Sequence, residues 1–193
     1  MKNLKDQIFA LVNKYSEVTF EKEQEFVPGE THIPVSGKLI DRDEIRFAVE
    51  ACLDGWFTTG RFAKKFEKKF SKYMNQRFCL LTNSGSSANL LAMSALTSPK
   101  LGEKRLKPGD EVITIAAGFP TTVNPIIQNG LVPVFVDANL DDYGIDVEKL
   151  ENALSPKVKA IILAHTLGNP FNLSEVMKIV KKYNLWFIED CCD

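Results

Sequence analysis

The 193-residue sequence predicts an α/β fold: a partial doubly wound, mainly parallel sheet preceded by N-terminal helices. Three observations carry that expectation. Short apolar runs recur in the second part of the chain, at Phe78 to Leu81, Val112 to Ile115, Val132 to Val136, Ala160 to Ala164 and Leu185 to Ile188. Segments with helical spacing separate them, near 87–96, 121–129, 147–154 and 173–183, which is the alternation that parallel strands and crossover helices produce. A 45% hydrophobic content in a chain of this length is enough to bury one sizeable core.

The earlier elements follow from local spacing. Leu4, Ile8, Leu11, Val12 and Tyr15 recur at helical intervals and predict an amphipathic helix whose apolar face needs a partner. Pro28 and Pro34, with mixed polarity from Glu17 to Gly37, predict an irregular arm, so residues 1–37 are set apart from 38–193. Asp41 with Glu44 three positions later forms a capping box for a helix that puts Ile45, Ala48, Val49, Cys52 and Leu53 on one face. Phe62, Phe66, Phe70 and Tyr73 mark the next.

Composition removes several function classes. Lysine plus arginine (24) nearly cancels aspartate plus glutamate (25), so net charge gives no reason to expect nucleic acid or an anionic membrane as partner. Cys52, Cys79, Cys191 and Cys192 lack the spacing of a disulfide framework. The polar N-terminus is unlike a signal peptide, and the reading is a cytoplasmic chain. No apolar run reaches the roughly 20 residues needed to span a bilayer, so no membrane insertion is expected.

Candidate site residues cluster after the predicted strands. Asn83-Ser84-Gly85-Ser86-Ser87-Ala88 follows the first and opens a helix, where free N–H groups and a positive dipole end suit a phosphate; plain serine capping is the alternative. There is no Gly-x-Gly-x-x-Gly and no Walker loop at this point. Phe119 follows the second strand and offers an aromatic face to a planar ring, or simple packing. His165 ends the fourth run as a possible substrate contact or a structural histidine. Asp190 closes the last strand, at the edge where open sheets bind ligands, and a carboxylate there can pair with a cationic ring nitrogen. Glu189 should face the other way. Adjacent Cys191 and Cys192 are unlike a zinc site and read locally as small buried hydrophobes.

The order and spacing of these pieces carry more than any one of them. Asp54-Gly55-Trp56-Phe57-Thr58-Thr59-Gly60, Ser84-Gly85-Ser86-Ser87-Ala88-Asn89-Leu90, Pro108-Gly109-Asp110-Glu111-Val112-Ile113, Pro133-Val134-Phe135-Val136-Asp137, Lys159-Ala160-Ile161-Ile162 and Ile188-Glu189-Asp190 come in succession from about Ser36 onward. The succession resembles the sugar-nucleotide aminotransferase and dehydrase family of fold-type I pyridoxal-phosphate enzymes. Residues 116–125, 96–102 and Asp190-Cys191-Cys192-Asp193 look like its branch of CDP-4-keto-6-deoxyhexose 3-dehydrases.

The resemblance implies that residues 38–193 are an incomplete cofactor-binding large domain, ending at a core strand. It implies pyridoxamine or pyridoxal 5'-phosphate as cofactor, with Gly85, Ser86 and Ser87 on the phosphate, Phe119 on the ring, Asp190 on the ring nitrogen and Asp193 near the ring hydroxyl. Thr58 and Thr59 lie in a segment that commonly helps bind the sugar nucleotide. The implied reaction joins the cofactor amine to the 4-keto group of a CDP-sugar and expels its C3 hydroxyl, toward 3,6-dideoxyhexoses of surface polysaccharide. A reductase would then supply electrons through a [2Fe–2S] cluster for which Cys192 is one ligand, and the enzyme would be a homodimer. Two alternatives stand beside this: an aminotransferase, whose Schiff-base lysine would lie after Asp193, and a truncated product that at most binds ligands or a subunit.

Overall fold

The computed structural model describes residues 2–20, 25–34 and 37–192, which divide into two compact units, Met1–Leu80 and Leu81–Asp193. The boundary expected at residue 37 falls inside the first unit.

Among its described residues the first unit holds three helices, α1 (Lys2–Thr19), α2 (Arg42–Leu53) and α3 (Arg61–Tyr73). The capping box of α2 is formed as expected: the Asp41 carboxylate accepts from the Asp43 N–H at 2.7 Å, and the Asp41 N–H donates to Glu44 Oε2 at 2.8 Å. The predicted apolar stripe of α1 is not its packed face. Leu4, Ile8, Leu11 and Tyr15 are exposed and only Val12 of the stripe is partly covered, together with Lys5, Phe9 and Ser16 one position round from its other members. Lys5 and Arg46 stand 5.4 and 5.2 Å from the centre of the Phe9 ring, and Lys5 reaches Glu50 at 3.3 Å, so this face carries cation–π and charge contacts. On α3, Phe66 stacks on Phe70 at 5.3 Å, and Phe62 meets Phe47 of α2 edge-on at 5.7 Å.

The second unit begins with α4 (Gly85–Leu96) and alternates thereafter: β1 (Glu111–Ile115), α5 (Pro120–Gln128), β2 (Val132–Val136), α6 (Val147–Leu150), β3 (Val158–Ala164), α7 (Leu173–Lys182) and β4 (Trp186–Asp190). These four strands pair in parallel, in the order β2-β1-β3-β4. Four of the five predicted runs are therefore strands. Phe78 to Leu81 is irregular chain, with Phe78 and Leu80 74% and 72% exposed. A strand exists only through a neighbour's hydrogen bonds, so an apolar run alone does not make one.

Side-chain alternation along the strands builds two cores. Ile113, Ile115, Ile161 and Leu163 face α7 through Val176, Ile179 and Val180. Val112, Ala160 and Ile162 face Met93 of α4 and Ile126 of α5. The chain steps from β1 outward to β2 and then returns across β1 to β3, with α5 and α7 on opposite faces. At such a reversal the loops after two adjacent strands part and open a crevice at their carboxyl ends.

Candidate functional site

The crevice is a cavity of about 160 Å³ lined by Gly85 and Ser86 of α4, Asn89 one turn on, Gly118, Phe119 and Thr121 after β1, Ala164 and Thr166 after β3, and Asp190 and Cys192 at the end of β4. Ligand pockets commonly span about 300–1,000 Å³, so this one suits a single substituted ring and not a whole nucleotide sugar.

Asp190 is its chemical centre. The residue is 8% exposed, and its Oδ2 accepts from Asn89 Nδ2 and from Thr122 Oγ1, both at 2.7 Å. A carboxylate buried this deeply needs such donors. With Oδ2 held by two neutral groups, the other carboxylate oxygen remains for a ligand. Strand alternation sends Asp190 to the face of Ile188 and Trp186, and Glu189 to the face of Phe187, as the sequence predicts.

At the first turn of α4, Ser84 caps the helix: its hydroxyl accepts from the Ser87 N–H at 3.1 Å and donates to the Ser87 hydroxyl at 3.2 Å. Ser87 is thus engaged in the cap. Gly85 and Ser86 contribute the first two amides of a 12-residue helix, where intrahelical partners do not exist and the dipole favours an anion. A methyl group at Gly85 would come within 3.3 Å of Cys192 Sγ, so glycine is what lets the β4 end approach this turn. Phe119 lines the cavity and is 67% exposed.

Of the other sequence candidates, His165 does not line this cavity. His165 lies on the opposite face of the sheet, its ring stacked on Phe171 at 4.3 Å and its Nε2 3.1 Å from Glu189 Oε1. Thr58 and Thr59 belong to the first unit and are exposed in the turn before α3. Arg61 closes that turn, donating to Asp54 and to Glu50 at 2.7 Å each, and these bonds hold both carboxyls below their usual range. Asp193 lies outside the described residues.

Cys191 and Cys192 are both exposed, not buried as expected, because the chain leaves the sheet at Asp190. They also part company. Cys192 lines the cavity, whereas Cys191 stands with His165 and Glu189. Partial burial pushes the Cys191 thiol up, and the carboxylates of Glu189 and Asp190 add to the shift. Cys52 and Cys79 belong to the first unit, Cys191 and Cys192 to the second.

The residues that the sequence does not single out are Asn89 and Thr122. Asn89 occupies the same helix face as Met93, four residues on, and a polar side chain on an apolar face is a sign of a buried partner.

Four parallel strands with helices on both faces, and a buried carboxylate lining one cavity with a helix N-terminus and Phe119, define an α/β domain of the doubly wound kind. Residues 39–193 match the DegT/DnrJ/EryC1/StrS aminotransferase family, and the chain belongs to that family. It is 60% identical over 191 residues to the lipopolysaccharide biosynthesis protein RfbH of Salmonella typhimurium, covering 99% of this chain and 44% of that protein. It is 50% identical over 192 residues to dTDP-4-dehydro-2,6-dideoxy-D-glucose 3-dehydratase of Saccharopolyspora spinosa, covering 98% and 40%. A solved structure of GDP-4-keto-6-deoxymannose-3-dehydratase with a trapped PLP-glutamate geminal diamine superposes with a TM-score of 0.75 at 36% identity, over 83% of this chain and 41% of that one. The chain thus spans about two fifths of the length of these relatives. No helix among the described residues is long and apolar enough to cross a membrane.

Proposed function

We propose that this chain supplies the cofactor-binding elements of a longer enzyme, the whole protein. That enzyme would remove the C3 hydroxyl of a nucleotide-linked 4-keto-6-deoxyhexose with pyridoxamine or pyridoxal 5'-phosphate. The observation that carries this reading is Asp190, buried, fixed by Asn89 and Thr122, and set across a small cavity from the N-terminus of α4. Relatives named as 3-dehydratases support the reaction.

The residues present fit the cofactor. The first amides of α4 at Gly85 and Ser86 suit a phosphate, with the Ser86 hydroxyl beside them. The cavity has the size of one ring, and Phe119 covers one side of it. When bound, the cofactor supplies an amine for the sugar's keto group and a pyridine ring that takes up electrons. Asp190 keeps the ring nitrogen protonated, because a carboxylate nearby favours the cationic form. Asn89 and Thr122 hold that carboxylate in place. Gly85 admits Cys192, which closes the cavity wall.

Ser86→Ala in the whole protein is expected to weaken cofactor binding by about 1–3 kcal/mol through loss of a charge-assisted bond. Equilibrium dialysis measures this, and unchanged affinity would return the turn to plain capping.

The finer parts of the reading are proposals of the same kind. The substrate base is cytosine, by resemblance to the CDP-sugar dehydrases, and turnover of CDP-, dTDP- and GDP-linked sugars compared side by side tests it. Thr58 and Thr59 are substrate contacts. For His165, the alternatives are a substrate contact and a structural histidine, and the Glu189 bond and the Phe171 stack support the structural one. A homodimer in the cytoplasm, with a reductase as electron donor, completes the proposal. The described residues do not by themselves make an iron–sulfur site: Cys192 would need three thiolates from elsewhere, so no step here passes through a cluster.

The family's own description as aminotransferases supports a second reading, in which the same cavity serves transamination and the whole protein carries a Schiff-base lysine. Borohydride treatment of the pyridoxal-phosphate-loaded whole protein separates the two. The dehydrase reading predicts that the chromophore washes out on denaturation; retention on the chain favours the aminotransferase.

A further inference from the structure

One polar group of the cavity wall has no task in this scheme. Thr166 lines the cavity just past the end of β3, and its Oγ1 is buried without a hydrogen-bond partner among the described residues. Buried hydroxyls are ordinarily bonded, and one that is not marks a place for a missing group. Its neighbours are already committed: Asp190 Oδ2 takes both Asn89 and Thr122. The His165 N–H donates to the Asp190 carbonyl at 3.1 Å, which ties the Thr166 segment to the strand end that carries Asp190.

We propose that the Thr166 hydroxyl binds the ring hydroxyl of the cofactor. The inference rests on the cofactor reading and on the shape of the ring. In a pyridoxal-type ring the phosphate arm and the hydroxyl stand on opposite sides of the line from the nitrogen to the reactive carbon. With the nitrogen on Asp190 and the phosphate at Gly85 and Ser86 of α4, the hydroxyl edge turns away from α4. The end of β3, with Thr166, is the part of the described wall that meets it. A threonine hydroxyl donates to the ionised ring oxygen or accepts from the neutral one, and a change of χ1 from one staggered well to the next, about 120°, re-aims it without moving the backbone. Asp193, to which the resemblance gives the same ring group, would be a second partner and lies outside the described residues.

The test is titration of the whole protein and its Thr166→Val and Thr166→Ser variants with pyridoxamine 5'-phosphate, followed by calorimetry and by the near-ultraviolet band of the bound ring. Valine keeps the shape and removes the hydroxyl; serine keeps the hydroxyl. Thr166→Val is expected to bind about 10- to 100-fold more weakly, the loss typical of one hydrogen bond to a charged group. The pH at which the bound ring hydroxyl ionises should rise, since the removed donor favoured the anion. Thr166→Ser is expected to restore both. Wild-type affinity and an unmoved ionisation in Thr166→Val overturn this inference and leave the cofactor reading standing. Equal losses in the valine and serine variants assign Thr166 to packing and overturn it as well. Failure of the wild-type protein to bind the cofactor overturns the reading and the inference together.

Discussion

Replacing Asp190 by asparagine in the whole protein is expected to lower turnover by about 10- to 1,000-fold while leaving the melting temperature close to wild type. An opposite charge beside a titrating group moves its pKa by about 1–3 units, and a rate that follows the protonated ring loses a corresponding factor. The fold should tolerate the change. The amide oxygen can take the place of Oδ2 and still accept from Asn89 and Thr122, whose 2.7 Å bonds are the contacts that burial requires. The amide nitrogen then faces the ring and no longer favours a proton there. Steady-state kinetics with a thermal melt on the same sample measures both halves. A fully active Asp190→Asn variant would remove the ring-nitrogen role, and an unfolded one would show that the carboxylate serves the core.

Ile161→Ala is expected to destabilise the second unit by about 2–5 kcal/mol, the range for truncating a large side chain inside a packed core. Ile161 is fully buried in β3, opposite Ile113 of β1 and Phe187 of β4, so the void opens among neighbours that strand pairing holds in place. Since β3 also delivers Ala164 and Thr166 to the cavity, cofactor affinity should fall with stability. Urea unfolding followed by circular dichroism measures the loss. A change below about 1 kcal/mol would mean that the site collapses to fill the gap, contrary to a rigid, close-packed parallel sheet.

Much of the second unit is legible in the sequence because its signals are local. The runs at Val112, Val132, Ala160 and Leu185 each form a strand within a residue or two of the expected bounds, since an apolar run between turn residues needs only a neighbouring strand to be realised. The same kind of run at Phe78 is irregular chain, since an apolar run is a strand only where a neighbouring strand lies in register beside it. The period-2 alternation of a strand is enough to set Asp190 and Glu189 on opposite faces. The helix start at Gly85 is equally plain from Ser84 and the small residues after it.

What sequence does not supply is pairing at long range. Asn89 and Thr122 stand 101 and 68 positions from Asp190, and no spacing rule joins them; only the packing of α4 and α5 against the end of β4 does. The fates of Cys191 and Cys192 turn on where β4 ends, a boundary that pattern alone fixes to within a few residues. The covered face of α1 is turned from most of the aliphatic stripe and carries Phe9, beside which Lys5 and Arg46 stand, and helical spacing alone does not choose between the two faces.

The central claim is that the cavity at Asp190 holds a pyridoxal-type ring by its nitrogen and its phosphate. Calorimetric titration of the whole protein with pyridoxamine 5'-phosphate tests it most directly. The expected result is saturable binding of one cofactor per chain, weakened by Asp190→Asn at one end of the ring and by Ser86→Ala at the other. Absence of binding, or an affinity that neither variant changes, would contradict it.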